Sequence, residues 1–250
     1  MSFLVGAFII GSAFLTAAIS GVFGMAGGLL LKGALALVLP VSATFVAHGL
    51  LQLVANGWRA ILHRKHVAWR IVGLYALGAF AAAGVAGLIT VVPTTATLYL
   101  FMGLVPWLVW MPERWVKLDA QRPGQALLCG LSVTGVNLTA GVAGPFLDVF
   151  FVRTSLTRHQ IVATKAATQV FSHLMKIVVY GAPLLAAGGK SMPPGWVFAL
   201  AVPLSMLGTA AGGVVLNRLS DVNFKRYLRL ILSGIGLLYL AQAAYLYLQG

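Results

Sequence analysis

The chain has 250 residues, of which 60% are hydrophobic and 8% are charged, and its mean hydropathy is +0.95. This composition excludes an ordinary soluble protein, because so much apolar surface needs a lipid bilayer as its solvent. The formal net charge is +13, but the basic residues form short clusters between apolar segments. Such clusters are typical of the cytoplasmic loops of a multi-pass membrane protein, so we expect no nucleic acid partner.

Glycine, proline and charged residues divide the chain into ten predicted helical segments, near 3–22, 25–39, 42–62, 69–90, 93–111, 124–139, 143–153, 157–180, 194–216 and 224–248. A helix needs roughly 20 residues to cross the hydrocarbon core. The second segment is therefore short, the seventh is much too short to cross, and both are expected to enter the membrane only part way. The first segment lacks the basic region and cleavage site of a secretory signal, so we expect a helix of the mature protein.

The motif content argues against an enzyme. The chain has no HExxH motif, no P-loop and no recognisable Ser-His-Asp set, and its five histidines lack metal-ligand partners at useful spacing. The single cysteine, Cys129, allows neither an intrachain disulfide nor a cysteine-based metal site. We expect no catalytic residue, no metal and no cofactor.

An internal repeat appears when the chain is shifted by 117 positions. The matched pairs are Gly24 with Gly141, Ala26 with Ala143, Gly27 with Gly144, Leu30 with Leu147 and Gln52 with Gln169, and the matched polar positions are His48 with Lys165, Asn56 with His173 and Arg59 with Lys176. Four polar positions in one ungapped register are hard to obtain by chance. The match predicts two related halves.

The basic loops predict how the two halves are oriented. Four loops are basic and therefore cytoplasmic: those after the third and fifth segments, the one before the eighth, and the one between the ninth and tenth. The other connections contain Lys190 as their only basic residue and are therefore extracytoplasmic. The result is two inverted five-helix repeats, residues 1–111 and 124–250, joined by a cytoplasmic linker at 112–123, with both termini extracytoplasmic. Inverted repeats with interrupted segments are typical of secondary transporters, whose substrate site lies between the halves near the midplane.

Glycine-rich turns are expected to present helix starts at this midplane. Gly24 to Gly28 and Gly141 to Pro145 lie where one short segment gives way to the next. Each turn would expose the N–H groups and the positive dipole end of a new helix, which suit an anion. The alternative is that these glycines only allow tight helix packing.

A polar stripe recurs on the third and eighth segments. On the third segment, His48, Gln52 and Asn56 are spaced by four residues. The eighth segment repeats this spacing with Lys165, Gln169 and His173. Each of these three residues follows a hydroxyl residue: Thr164, Thr168 or Ser172. Buried polar groups are costly unless they are paired. The stripes are therefore expected to face a substrate path, although a single such histidine would more simply bond two helices together.

Charged residues at membrane depth indicate the sign of the substrate. Lys32 and Lys165 outnumber Asp148, which favours an anion over a cation. Asp148 is expected to pair with one of these lysines in the empty state or to couple transport to protons, and the alternative is a carboxylate that reaches an interface. Arg59 and Lys176 lie near predicted segment ends and are interpreted as snorkelling or lipid-facing anchors.

Two stretches, GMAGG at 24–28 and GVAGP at 141–145, the second followed by SLTRHQIVATKAATQVFS, are similar to the glycine-rich motifs that open a short helix in each half of the sulfite exporter (TauE/SafE) family. This family also includes toluenesulfonate uptake permeases. The chain departs from the pattern in having Lys32 and Gly33 where members commonly have a proline, and Lys165 in place of a small hydroxyl residue. The resemblance covers most of the chain and implies an all-helical fold of inverted halves that transports sulfur oxyanions or organosulfonates.

Together these features predict a secondary transporter of organosulfonate or sulfite-like anions in a bacterial-type cytoplasmic (inner) membrane, working by alternating access and coupled to protons or sodium. Lys32 and Lys165 would neutralise the acid group between the glycine turns. The predicted substrate-binding set is Gly24, Gly27, Gly28, Lys32, His48, Gln52, Asn56, Gly141, Gly144, Pro145, Lys165, Gln169 and His173. The alternatives are a non-transporting membrane scaffold subunit and a passive anion channel, and either import or export fits the sequence.

Overall fold

A computed structural model describes residues 1–24, 26–88, 93–115, 117–151, 153–216, 218 and 221–249, with side chains except at 109, 113, 158, 216, 221–226 and 228. Over these residues the chain forms ten α-helices and no β-strand. They are α1 (Phe3–Phe23), α2 (Ala26–Ala36), α3 (Val41–Leu62), α4 (Trp69–Leu88), α5 (Thr95–Leu104), α6 (Pro123–Thr139), α7 (Gly144–Phe151), α8 (Arg158–Ala186), α9 (Gly195–Leu216) and α10 (Asp221–Gln249). The predicted all-α fold is confirmed.

Five of the described helices, α1, α4, α8, α9 and α10, contain stretches long and apolar enough to cross a membrane. Large apolar side chains such as Phe3, Leu88 and Leu248 point outward and are at least 75% exposed, as expected for a surface that contacts lipid. As predicted, α2 and α7 are short, with 11 and 8 residues. Two helices of this length cannot cross a bilayer alone.

The ends of the second and eighth segments were wrong, and the second ends at Ala36 instead of residue 39. The eighth segment was expected to end near residue 180, but α8 continues through Pro183 to Ala186, because Tyr180 and Leu184 pack into the core formed by α2, α3, α5 and α10. The helix stops only where Gly188 and Gly189 adopt positive φ. The fifth segment ends as an α-helix at Leu104 and continues as a 3₁₀ helix over Val105–Trp110. The predicted end of the fourth segment, at residue 90, lies outside the described residues.

The most extensive helix–helix contacts keep equivalent partners when the first five helices are exchanged with the last five. α1 packs on α9 as α6 packs on α4, and α3 packs on α9 as α8 packs on α4. The pairs α3 with α8 and α5 with α10 map onto themselves. This is the contact pattern expected of a repeat with a pseudo-twofold axis.

Small residues allow α1 and α9 to approach closely. A Cβ added at Gly212 of α9 would lie 2.7 Å from the Cα of Gly21 and closer still to the Ala18 carbonyl oxygen, whereas one added at Gly213 would meet nothing within 4 Å. Helices in membranes associate through such close packing, because lipid tails are as apolar as the side chains and leave no hydrophobic driving force between helices.

The neighbouring glycines at 212 and 213 provide a matched test of this packing. Gly212→Ala is expected to destabilise the protein by about 1–3 kcal/mol, because the helices must move apart to fit one methyl group. Gly213→Ala should be neutral or stabilising by up to about 1 kcal/mol, because alanine favours the helix. Thermal unfolding of both variants in detergent checks the difference, and equal melting temperatures would contradict the close packing of α1 on α9.

Candidate functional site

Two turns, one in each half, end a helix and begin another. Gly24 (φ 70°) follows α1 and Gly141 (φ 77°) follows α6, and both adopt the left-handed backbone that favours glycine. α2 begins at Ala26 and α7 at Gly144, so each turn leads directly to a helix amino terminus. The expectation of a glycine turn at both matched positions is confirmed. We call residues 24–28 the first tip and residues 141–145 the second tip.

The two tips meet at a cavity of about 30 Å³. The first tip contributes Gly24 and Gly28, and the second contributes Val142 to Pro145. The rest of the wall consists mainly of polar side chains from α1, α3, α6 and α8: Ser20, His48, Gln52, Asn56, Asn137, Gln169 and His173, together with Leu29. The predicted stripes of α3 and α8, except Lys165, therefore face the same space as the two tips.

Most of the predicted binding residues line this cavity: Gly24, Gly28, His48, Gln52, Asn56, Gly144, Pro145, Gln169 and His173. The other four do not form its wall. Gly27 packs against Thr16 and Ser20 of α1, Gly141 forms the turn itself, and Lys32 and Lys165 lie beyond the wall.

Several polar atoms in the wall have no hydrogen-bond partner although they are buried. They are both side-chain amide atoms of Asn137, Nε2 of Gln169 and Nδ1 of His173. Leaving a buried donor or acceptor unpaired costs about 1–3 kcal/mol each. Such a cluster in one small cavity is expected where a polar ligand or water completes the hydrogen bonds.

Asn137 and Ser20 line the cavity from α6 and α1 but were not among the predicted binding residues. They match each other under the shift of 117 positions, one helical turn before the first glycine of each tip. This extension of the repeat is the sequence signal that identifies both residues.

Other polar side chains in the wall have hydrogen-bond partners, and the bond from His48 to Gly28 holds the first tip against α3. His48 Nε2 donates to the Gly28 carbonyl oxygen (2.9 Å), and Asn56 Nδ2 donates to the carbonyl and Oε1 oxygens of Gln52 (3.0 and 3.1 Å). His48 Nδ1 is then the acceptor of a hydrogen bond from Lys176 Nζ (3.2 Å). The His48 and His173 rings lie 5.5 Å apart, edge to face.

Lys176 and Arg59 do not face lipid, and their interpretation as anchors was wrong. Lys176 is fully buried and donates to the Gly141 carbonyl oxygen (2.6 Å), while Arg59 is 7% exposed and donates to Ser20 Oγ (3.1 Å). Lys176 lies away from the helix end, because α8 extends beyond it by more than two turns, and its side chain is interior because it contacts the second tip. Arg59 is interior because its side chain runs across to α1.

Lys32 is also fully buried, behind the cavity wall. Its Nζ lies 3.3 Å from the centroid of the Phe45 ring and has no hydrogen-bond partner. A cation over an aromatic ring is stabilised, but less than by a carboxylate. A Cβ added at Gly141 would lie 2.6 Å from Lys32 Cε, so the lysine packs directly against the second tip.

Lys165 and Asp148 form an ion pair, with side-chain exposures of 18% and 36%. Of the two lysines proposed as partners of Asp148, Lys165 is the one that pairs with it in this conformation. Neither residue lines the cavity.

A second, apolar cavity of about 580 Å³ lies between α3, α4, α6 and α8, on the far side of Leu138. The hydroxyls of Thr139 and Tyr180 in its wall donate to backbone carbonyls, and Ser42 adds one further hydroxyl to an otherwise apolar lining. This cavity suits hydrocarbon and not an anion.

A separate set of histidines lies at the far end of α3. The rings of His66 and His159 are 5.4 Å apart. Partial burial, and then the nearby charges of Arg59, His159 and His66, lower the pKa of His63. Within the described residues, no group of three or more His, Cys, Asp or Glu is arranged to hold a metal ion.

Comparisons with known proteins identify one family for the chain. No curated protein and no solved structure matched the chain. The family described as Sulfite exporter TauE/SafE matches it over residues 9–239, nearly its whole length. Members of this family are membrane transporters and not enzymes. The chain therefore belongs to the TauE/SafE sulfite exporter family and is a multi-pass membrane transporter of the sulfite and sulfonate type.

Proposed function

We propose that this protein is a secondary transporter that binds the acid group of an organosulfonate or sulfite-like anion in the cavity between the two tips. The observation that carries the proposal is the set of buried, unpaired polar atoms on Asn137, Gln169 and His173 around one space. An oxyanion has several acceptor oxygens and can satisfy amide and ring N–H donors together.

The electrostatics of the site support an anion. The amino termini of α2 and α7 both begin at the tips, and each carries roughly half a positive charge. Lys32, Arg59 and Lys176 are buried nearby, while the half-buried Asp148 is already paired with Lys165. An anion would therefore relieve uncompensated positive charge, whereas a cation would add to it.

The small size of the cavity indicates that the tips must move apart to admit a whole organosulfonate. Its volume of about 30 Å³ is about 10 to 30 times smaller than the roughly 300–1,000 Å³ of pockets that enclose drug-sized ligands. The acid group is compact enough to enter with local adjustment, but an organic tail needs the tips to separate. Movement of residues 1–111 against 124–250 about the linker 112–123 would separate them and give alternating access.

In this proposal the protein lies in a bacterial-type cytoplasmic (inner) membrane with both termini extracytoplasmic. Lys32 and Lys165 neutralise the bound acid group as the halves move. Asp148 or the histidines of the cavity couple the movement to protons, and sodium is the alternative coupling ion.

A panel of anions tests the proposal. Sulfite, thiosulfate, taurine, sulfoacetate and an aryl sulfonate are each added to the protein in detergent, with sodium chloride and an uncharged sulfone as controls. A substrate at a concentration 100 times its Kd should stabilise the fold by about 2.7 kcal/mol and raise the melting temperature.

The outcome separates the alternatives. If no sulfur anion shifts the melting temperature beyond sodium chloride, the result favours a non-transporting scaffold and contradicts the proposal. Accumulation of the stabilising anion in vesicles against its gradient, driven by protons or sodium, supports a coupled carrier. Equilibration without accumulation would identify a channel instead.

A further inference from the structure

A buried cation holds the turn glycine of each tip. In the second half, Lys176 Nζ donates to the Gly141 carbonyl oxygen (2.6 Å). In the first half, Arg59 Nη2 donates to Ser20 Oγ (3.1 Å), and the Ser20 hydroxyl donates to the Gly24 carbonyl oxygen. The first cation therefore acts through a hydroxyl group and the second acts directly.

The two arrangements are equivalent in the repeat. Arg59 matches Lys176 and Gly24 matches Gly141 under the same shift of 117 positions, so both the cation and the carbonyl recur together. Both cations lie on the third helix of their half, α3 or α8. Among the residues whose side chains are described, neither has a carboxylate partner, since the ion pair found there joins Lys165 to Asp148.

Each cation also contacts one residue of the cavity wall. Arg59 donates to Ser20, and Lys176 donates to His48 Nδ1 (3.2 Å). The cations themselves do not form the wall. They therefore influence the cavity through the tips and these two neighbours.

The location of the cations explains what they do. The carbonyls of Gly24 and Gly141 lie at the carboxyl ends of α1 and α6, where the helix dipole is negative. Only a few residues later, the positive amino ends of α2 and α7 face the cavity. A buried cation at each carboxyl end neutralises the negative pole, so that an anion in the cavity meets mainly the positive one.

We propose that Arg59 and Lys176 are equivalent positioning residues that hold the two tips in the anion-binding conformation. Lys176 binds the turn carbonyl of its tip directly, and Arg59 does so through the Ser20 hydroxyl. The effect on anion affinity rests on the proposed function, but the effect on the tips does not. The two effects can therefore be measured separately.

Hydrogen–deuterium exchange measures the tips without any anion. Arg59→Met is expected to speed exchange in residues 20–28 by about tenfold, and Lys176→Met to do the same in residues 140–147, each leaving the opposite tip unchanged. Methionine preserves the straight stem and removes the charge. Lys65→Met, in the exposed basic loop after α3, is the control and should change neither tip.

Two further variants test the contacts with little risk to folding. Ser20→Ala removes the hydroxyl that links Arg59 to Gly24 and should reproduce the faster exchange at the first tip. Arg59→Lys retains the cation and should restore slow exchange. Unchanged exchange at the first tip in both Arg59→Met and Ser20→Ala would overturn the proposal, as would faster exchange across the whole protein in place of the local change.

Anion affinity provides the second readout. The methionine variants should raise the Kd of the stabilising anion roughly tenfold, as expected for a charge lost at a buried helix end, and Arg59→Lys should recover it. A variant with a lower melting temperature but an unchanged Kd would show a structural role only and overturn the positioning role. If the wild-type protein binds no anion, the proposed function fails, and the exchange measurements still decide whether the cations hold the tips.

Discussion

Asn137→Leu is expected to make the protein more stable to heat while weakening anion binding and transport. Asn137 is fully buried in the cavity wall, and neither atom of its amide has a partner. An apolar side chain of similar size removes the free-energy cost of burying unpaired polar atoms, which is about 1–3 kcal/mol. It also removes hydrogen bonds to a charged ligand worth about 1.5–3 kcal/mol, which corresponds to roughly 10- to 150-fold weaker binding.

Thr134→Val on the same helix is the matched control. Thr134 is also fully buried, but its hydroxyl is 2.7 Å from Ser172 Oγ and lies outside the cavity wall. This substitution should lower the melting temperature, because it breaks a satisfied hydrogen bond, and it should leave the Kd unchanged. Melting temperature and labelled-anion uptake in vesicles are measured for both variants. Loss of stability in Asn137→Leu with normal uptake would show that the amide has a structural role and is not part of the site.

Lys165→Ala is expected to abolish transport of the sulfur anion while the protein remains folded. In the proposed cycle Lys165 leaves Asp148 and neutralises the bound acid group, a charge-assisted interaction that alanine cannot replace. A fall in the uptake rate of about a hundredfold corresponds to about 2.7 kcal/mol. Lys190→Ala, in the exposed loop after α8, removes a similar charge and should transport normally.

The ion pair with Asp148 requires a second variant. If Lys165 only balances the aspartate, Asp148→Asn combined with Lys165→Ala should restore uptake, because neither charge is then left unpaired. We expect no restoration. Asp148→Asn alone should keep anion binding and lose the dependence of uptake on a proton gradient. Normal uptake in Lys165→Ala, or recovery in the double variant, would exclude Lys165 from the site.

The two tips are alike in backbone and different in chemistry. Both turn glycines have positive φ, but Ser20 of the first half matches Asn137 of the second, and Arg59 matches Lys176. These differences place an indirect cation contact at one tip and a direct one at the other. A carrier that works by alternating access has one conformation open to each side of the membrane. Unequal tips allow these two conformations to differ in free energy.

The amino-acid sequence by itself determined the bilayer environment, the helical class, the two short helices and both glycine turns. These features depend on composition and on spacing along the chain, which packing does not change. The polar stripe was predictable for the same reason, because residues four apart share one face of a helix.

Tertiary structure alone decided which cations lie at the site. Lys176 is buried because its side chain contacts the Gly141 carbonyl of the second tip and His48 of α3. It also lies away from the helix end, because contacts of Tyr180 and Leu184 with distant helices extend α8 through Pro183. Of the two lysines predicted as partners of Asp148, only the fold shows that Lys165 is the one paired with it. The sequence shows how far along its own helix a charged residue lies. The partners of that charge come from other helices, and only the packed fold brings them together.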